Sequence, residues 1–174
     1  KDLAEERGAC LGAQEYGIKE RFSNKTAIAP TASISIICGG TSPGVEPIAA
    51  NSYTHKTLSG SFNVRNKYLK KLLAKHNKDN DEIWSSITTN QGSVSHLDFL
   101  KKEEKDVFKT AFELDQKWIV ELSADRTPHI SQAQSINIFL PADVHKKELH
   151  QIHYQAWKKG LKSLYYCRSK SIQR

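Results

Sequence analysis

A chain of 174 residues with 38% hydrophobic content is long enough to bury one domain-sized core. No run approaches the roughly 18 apolar residues of a membrane-crossing helix, so a soluble, cytoplasmic protein with no membrane partner is expected. Twenty-six Lys and Arg against nineteen Asp and Glu give a formal charge of +7, which raises nucleic acid or another phosphorylated partner as candidates.

Residues 1–7 alternate charges around no apolar centre, unlike a secretory signal. With no initial Met and a helix-like start, the chain is expected to be a fragment of something longer. Segment 2–16 has Ala and Glu in helical proportion, interrupted by Gly8 and Gly12, and is expected to form a weak helix. Residues 25–29 are short and apolar and end at Pro30, which suits a buried strand stopped by a residue that donates nothing to a ladder. From Thr31 the chain offers hydroxyls, then apolar residues, then Gly39 and Gly40, the pattern of a tight turn and a short helix. Between 41 and 66 Gly, Pro, Ser, Thr and Asn dominate, so loops are expected, with a small hairpin around 57–62.

Helical stripes return at 66–76 (Tyr68, Leu69, Leu72, Leu73), at 81–89 (Ile83, Trp84, Ile87) and over 105–124, where a break near Leu114 and Asp115 divides the run. Segment 134–140 alternates Ile136, Ile138 and Leu140 with Asn137 and Phe139 and closes at Pro141, so it is expected to be a strand. Asp143 is the expected cap of a helix running to about Lys159, stopped by Gly160, and 161–167 is expected to be a second strand. Strand, helix and strand make a βαβ unit with parallel strands and a right-handed crossover. The composition therefore points to an α/β fold with additional helices, most of 1–174 forming a single unit.

Basic residues are spread over 67–78, 101–109, 146–162 and 168–174, largely on polar helix faces. Solvated surface explains them as well as a nucleic-acid grip does. Cys10, Cys38 and Cys167 are far apart, with no partner at metal-ligand spacing, so a reducing compartment, buried thiols and no metal site are expected. The turn at Thr31, Ala32, Ser33, Ile34 and Ser35 follows the carboxyl end of a strand, where helix-opening amides and the helix dipole favour a phosphate. Its hydroxyls either join such a site or cap the helix. Tyr165 and Tyr166 end the last strand. Strand alternation would send one ring to the core and one to a helix, whereas two phenols in contact would make a chemically sensible relay for an electron and a proton.

The strings Ser23-Asn24-Lys25-Thr26-Ala27-Ile28-Ala29-Pro30-Thr31-Ala32-Ser33-Ile34-Ser35 and Ser163-Leu164-Tyr165-Tyr166 resemble two landmarks of the large subunits of class I ribonucleotide reductases, in order and at comparable separation. Gly44-Val45-Glu46-Pro47 and Glu6-Arg7-Gly8-Ala9-Cys10 resemble two further segments, so the likeness spans nearly the whole chain. It implies an α/β fold that is the C-terminal part of a ten-stranded α/β barrel. It implies that the backbone amides of Thr31, Ala32, Ser33, Ile34 and Ser35 bind the phosphates of a ribonucleoside diphosphate. Where some relatives offer a serine side chain, Ile34 offers only its amide.

Tyr165 and Tyr166 would relay a radical from a small subunit, which holds the metal-containing radical cofactor, to a barrel cysteine; this segment would bind no cofactor directly. The tyrosine pair sets the chain apart from adenosylcobalamin-dependent relatives, the nearest alternative beside a basic nucleic-acid-binding module. The radical cysteine, the reducing cysteines and the allosteric sites would lie upstream, and the C-terminal cysteine pair, re-reduced by thioredoxin or glutaredoxin, would lie downstream. The rest of the large subunit is thus an implied partner, the enzyme an oligomer, and the segment inactive alone. The amides after Pro30 and the two phenols would border one cavity.

Overall fold

Residues 1–169 other than Thr41 and Ser59 are described by the computed structural model of this protein, with 55–57 described by their backbone alone. The opening segment is broken as its glycines suggest, into α1 (Asp2–Arg7) and α2 (Leu11–Gln14), and the short helix after Pro30 is α3 (Ala32–Ile37). The hairpin is longer than its turn signal implied. β1 (Ser52–Thr57) and β2 (Gly60–Arg65) pair antiparallel, with Tyr53 opposite Val64.

Helices α4 (Lys67–Lys75) and α5 (Asp81–Thr89) fall where the apolar spacing places them, because each is opened by an asparagine. The Asn66 side chain accepts from the amides of Tyr68 and Leu69, and that of Asn80 from Ile83. Their buried faces, Leu69 and Leu73 on α4 and Trp84 and Ile87 on α5, close with Val94, Leu97 and Leu100 into a helical core. The run at 105–124 breaks twice. After α6 (Lys102–Val107), the Glu113 carboxylate accepts from both the amide and the hydroxyl of Thr110, at 2.8 and 2.9 Å, starting a new 3-10 turn. Asp115 then caps α7 (Gln116–Arg126) by accepting from Lys117, which is the break anticipated at Leu114 and Asp115.

The second core lies around three parallel segments. In the middle, 134–140 carries β3 (Ile138–Leu140), buried at every position, as expected for a parallel strand covered on both faces. β4 (Cys167–Ser169) pairs with it in parallel, Ile138 opposite Cys167 and Leu140 opposite Ser169. Pairing begins two residues earlier, where the Tyr165 amide donates to the Ile136 carbonyl at 2.8 Å and Ile138 donates to Tyr166 at 2.9 Å.

The last strand therefore sits later than 161–167. Leu161 is used to close the preceding helix, its amide donating back to Ala156 at 3.1 Å, and the chain is still turning until Tyr165. On the other side, Ile28 makes a single parallel bridge to Gln134, so the expected strand at 25–29 is a short contact rather than a ladder. The crossover is α8 (Lys146–Lys158). It starts at His145, not Asp143, because the imidazole Nδ1 accepts from the Lys147 amide at 3.1 Å. Ile119 and Val120 of α7 and Ile152 and Ala156 of α8 pack with Ile136, Ile138 and Leu140 to form this core. No helix among the described residues is long and apolar enough to cross a membrane.

The entry of the middle segment is held by a polar knot. Buried Gln134 donates to the Ser123 carbonyl at 2.7 Å and to Thr127 Oγ1 at 3.0 Å, and accepts from Arg126 Nε at 3.0 Å. Gln134→Leu keeps the volume and strands those partners. It is expected to lower unfolding free energy by about 1–3 kcal/mol, read as a reduced denaturation midpoint with an unchanged m-value.

Candidate functional site

The chain leaves the first parallel segment at Pro30 and turns directly into α3. The hydroxyls there do not cap the helix: no side-chain cap reaches its first turn. Thr31 Oγ1 donates to the Pro43 carbonyl at 2.9 Å, alongside the Thr31 amide at 3.2 Å. Ser35, buried, donates its hydroxyl to the Ala32 carbonyl at 2.7 Å. Both hydroxyls thus brace the loop from inside, while Ala32, Ser33 and Ile34 are exposed. At the far end of α3, Lys67 Nζ donates to the Gly39 carbonyl at 3.0 Å, placing a cation where the helix dipole is negative.

The segment bonded to Thr31 continues into Glu46. Ser42 Oγ donates to the Gly44 carbonyl at 2.8 Å, and Glu46 is 8% exposed. Its Oε1 accepts from both the amide and Nδ2 of Asn137 on the middle strand, the latter at 2.9 Å. Asn137 Oδ1 in turn accepts from Arg168 Nε at 3.4 Å, and the Arg168 guanidinium lies over the Tyr166 ring, 5.3 Å from its centroid.

Tyr165 and Tyr166 are both half-exposed, and their ring centroids are 4.1 Å apart at an interplanar angle of 56°. Strand alternation would separate them. They meet where the pairing is irregular: the Tyr165 amide and the Tyr166 carbonyl already bond the middle segment, but regular strand geometry, with its alternation, starts only at Cys167. Donation of the Tyr165 O–H toward Tyr166, followed by the charge of an ionised Tyr166, holds Tyr165 above the ordinary phenol pKa, and Arg168 opposes this.

Both segments, that of the loop and that of the phenols, reach the same middle chain. Ile28 bridges Gln134 on one side of the middle segment, and two residues further along Ile136 accepts from the Tyr165 amide on the other. With one strand between them, the outer chains run roughly 10 Å apart. The described residues hold a cavity of about 590 Å³ between α7, α8 and the end of β3, and another of about 380 Å³ beside α2. Neither is lined by the loop or the phenols. The path that joins those places runs by hydrogen bond from Thr31 to Pro43, along the chain to Glu46, by hydrogen bonds to Asn137 and Arg168, and by the guanidinium contact to the Tyr166 ring. Asn137 and Arg168 carried no signal in the sequence, and Glu46 only that of its Gly-Val-Glu-Pro string.

The model of the ribonucleotide reductase barrel domain matches residues 12–167. The ribonucleoside-diphosphate reductase large subunit of Invertebrate iridescent virus 6 is 52% identical over 95% of this chain, and that of Invertebrate iridescent virus 3 is 49% identical over 98%. The alpha subunit of the class Id ribonucleotide reductase from Actinobacillus ureae superimposes with a TM-score of 0.82 at 39% identity over 98% of this chain. The chain spans 18%, 27% and 30% of the length of those three proteins, respectively. Parallel strands with a helical crossover, the Thr31–Pro43 turn and the paired phenols thus occur in a chain that belongs to the ribonucleotide reductase barrel domain family, an α/β barrel fold.

Proposed function

We propose that this chain works within the large subunit of a ribonucleoside-diphosphate reductase, a cytoplasmic enzyme that replaces the ribose 2′-hydroxyl by hydrogen, and that 1–174 acts there as one structural unit. The contact between the two phenols carries the reading. At a 4.1 Å ring separation, one electron and one proton leave one phenol together and convert the neighbouring phenoxyl radical to a phenol. The hole moves while neither residue becomes charged, which suits a half-exposed site bordering a low-dielectric core. Tyr165 and Tyr166 receive the radical from a small, metal-containing subunit and pass it to a barrel cysteine. Thioredoxin or glutaredoxin supplies the electrons consumed at each turnover.

Substrate anchoring falls to the amides of Thr31, Ala32, Ser33, Ile34 and Ser35. The uncapped first turn of α3 supports this role at Ala32, Ser33 and Ile34, whose amides have no side-chain cap among the described residues, whereas the amides of Thr31 and Ser35 already donate to the Pro43 and Thr31 carbonyls and would have to share those bonds with the phosphate. A dianionic phosphate gains hydrogen bonds and dipole attraction there, and fixing the diphosphate fixes the ribose against the radical cysteine.

The test exploits an opposition between helix and ligand. Ser33→Asp places a carboxylate in the first turn of α3, where the dipole favours it, but within a few ångströms of the bound phosphate. Two like charges about 4 Å apart at a protein surface repel by about 1–4 kcal/mol. In the complete large subunit, nucleoside-diphosphate affinity is expected to fall at least about tenfold with thermal stability unchanged. Wild-type affinity in that variant removes the phosphate role from this loop.

A further inference from the structure

Arg168 lies one residue beyond the Tyr166–Cys167 step and is exposed, yet its guanidinium is held in a defined place. The constraint comes from behind. Glu46 is a nearly buried carboxylate with no ion pair among the described residues, and both its bonds to Asn137 go through one oxygen. An amide side chain whose Nδ2 is committed to a buried carboxylate must present Oδ1 the other way, and Oδ1 is the atom that meets Arg168 Nε. Because a guanidinium is planar and permanently charged, one fixed N–H sets the orientation of its whole face. That face covers Tyr166 at 5.3 Å, and Tyr166 in turn contacts Tyr165. The set spans segments 91 and 31 residues apart in sequence, converging on an otherwise half-exposed ring that no apolar packing would hold still.

We propose that Glu46, Asn137 and Arg168 are positioning residues of the tyrosine relay: Glu46 orients Asn137, Asn137 orients Arg168, and the Arg168 face holds the Tyr166 ring against Tyr165. The proposal rests on the relay reading above. None of the three exchanges an electron or a proton with the pair. Their effect is to keep the two phenols at transfer distance in a place open to water.

The experiment compares Arg168→Gln, Arg168→Lys, Asn137→Ala and Tyr166→Phe in the complete large subunit assembled with its radical-bearing partner. Arg168→Gln is expected to lower kcat on the order of a hundredfold, the scale of an ångström-sized misplacement, with KM for the nucleoside diphosphate unchanged. Arg168→Lys keeps the charge without the planar face and recovers only part of the rate; Asn137→Ala gives a smaller loss than Arg168→Gln. In the complete large subunit, absorbance titration of Arg168→Gln is expected to show Tyr165 ionising at higher pH, since the cation that favours its phenolate is gone. A structural role alone would not move that midpoint. Wild-type kcat in Arg168→Gln or in Asn137→Ala, or an unmoved phenol titration, overturns the proposal while Tyr166→Phe is inactive. Full turnover in Tyr166→Phe fells the relay reading itself, and the positioning role with it.

Discussion

Replacing either relay phenol, by Tyr165→Phe or Tyr166→Phe, is expected to bring turnover of the assembled enzyme below detection and to leave nucleoside-diphosphate binding at the wild-type level. Phenylalanine keeps the ring but has no O–H. Oxidising it means removing an electron with no proton to follow, so the hole cannot cross the 4.1 Å contact as a neutral radical. The same substitution costs the fold little. Both residues are half-exposed, and surface changes of this kind stay within about 0.5 kcal/mol. Turnover, ligand affinity and thermal midpoint measured on one preparation separate the chemical role from a structural one. A spectroscopic companion is available: in Tyr166→Phe the hydrogen bond that pushes Tyr165 upward is absent, so Tyr165 is expected to ionise at lower pH than in the parent. Retained activity in either variant refutes the relay.

The elements most legible in the sequence were those whose signals are local. Asn66 and Asn80 each stand before an apolar stripe and each binds first-turn amides, so α4 and α5 begin where the letters say. The start of α8 was missed because Asp143 is the stronger capping letter, yet the backbone geometry gives the task to the His145 imidazole. Strand limits were also unreadable. A parallel strand extends only as far as its neighbour offers partners, and neither the single bridge at Ile28 nor the late start of β4 leaves a trace in nearby residues. The phenol contact ran against strand alternation and had to be taken from resemblance. The Glu46–Asn137–Arg168 set joins three distant segments, and no spacing rule connects them.

Among the described glycines, Gly92 is the one where an added methyl group would meet backbone atoms rather than a flexible side-chain end. Gly92 has φ +82°, and a Cβ there would lie 2.3 Å from Ala50 Cβ, 2.6 Å from Ala50 Cα and 2.9 Å from the Asn51 nitrogen. These are backbone and short side-chain atoms that cannot swing aside. The Gly92 carbonyl accepts both from the Asn51 amide and from Asn51 Nδ2, each at 3.0 Å, and Asn51, 1% exposed, also donates to the Phe108 carbonyl and accepts from Asn66 Nδ2. The hairpin base, the end of α5 and the end of α6 therefore share one buried side chain. Gly92→Ala combines a left-handed backbone, costing about 1–2 kcal/mol, with overpacking of about 1–3 kcal/mol. A loss of about 2–5 kcal/mol is expected, measured by denaturant unfolding, a large share of the stability of a domain this size. Relief of the clash displaces Ala50 or Asn51, and Ala50 is four residues from the carboxylate that orients Asn137. Any Gly92→Ala protein that still folds is therefore expected to show a shifted phenol titration as well, although Gly92 touches neither tyrosine. An unshifted titration in a folded, destabilised variant would mean that the segment between Glu46 and Asn51 absorbs the strain before it reaches the site.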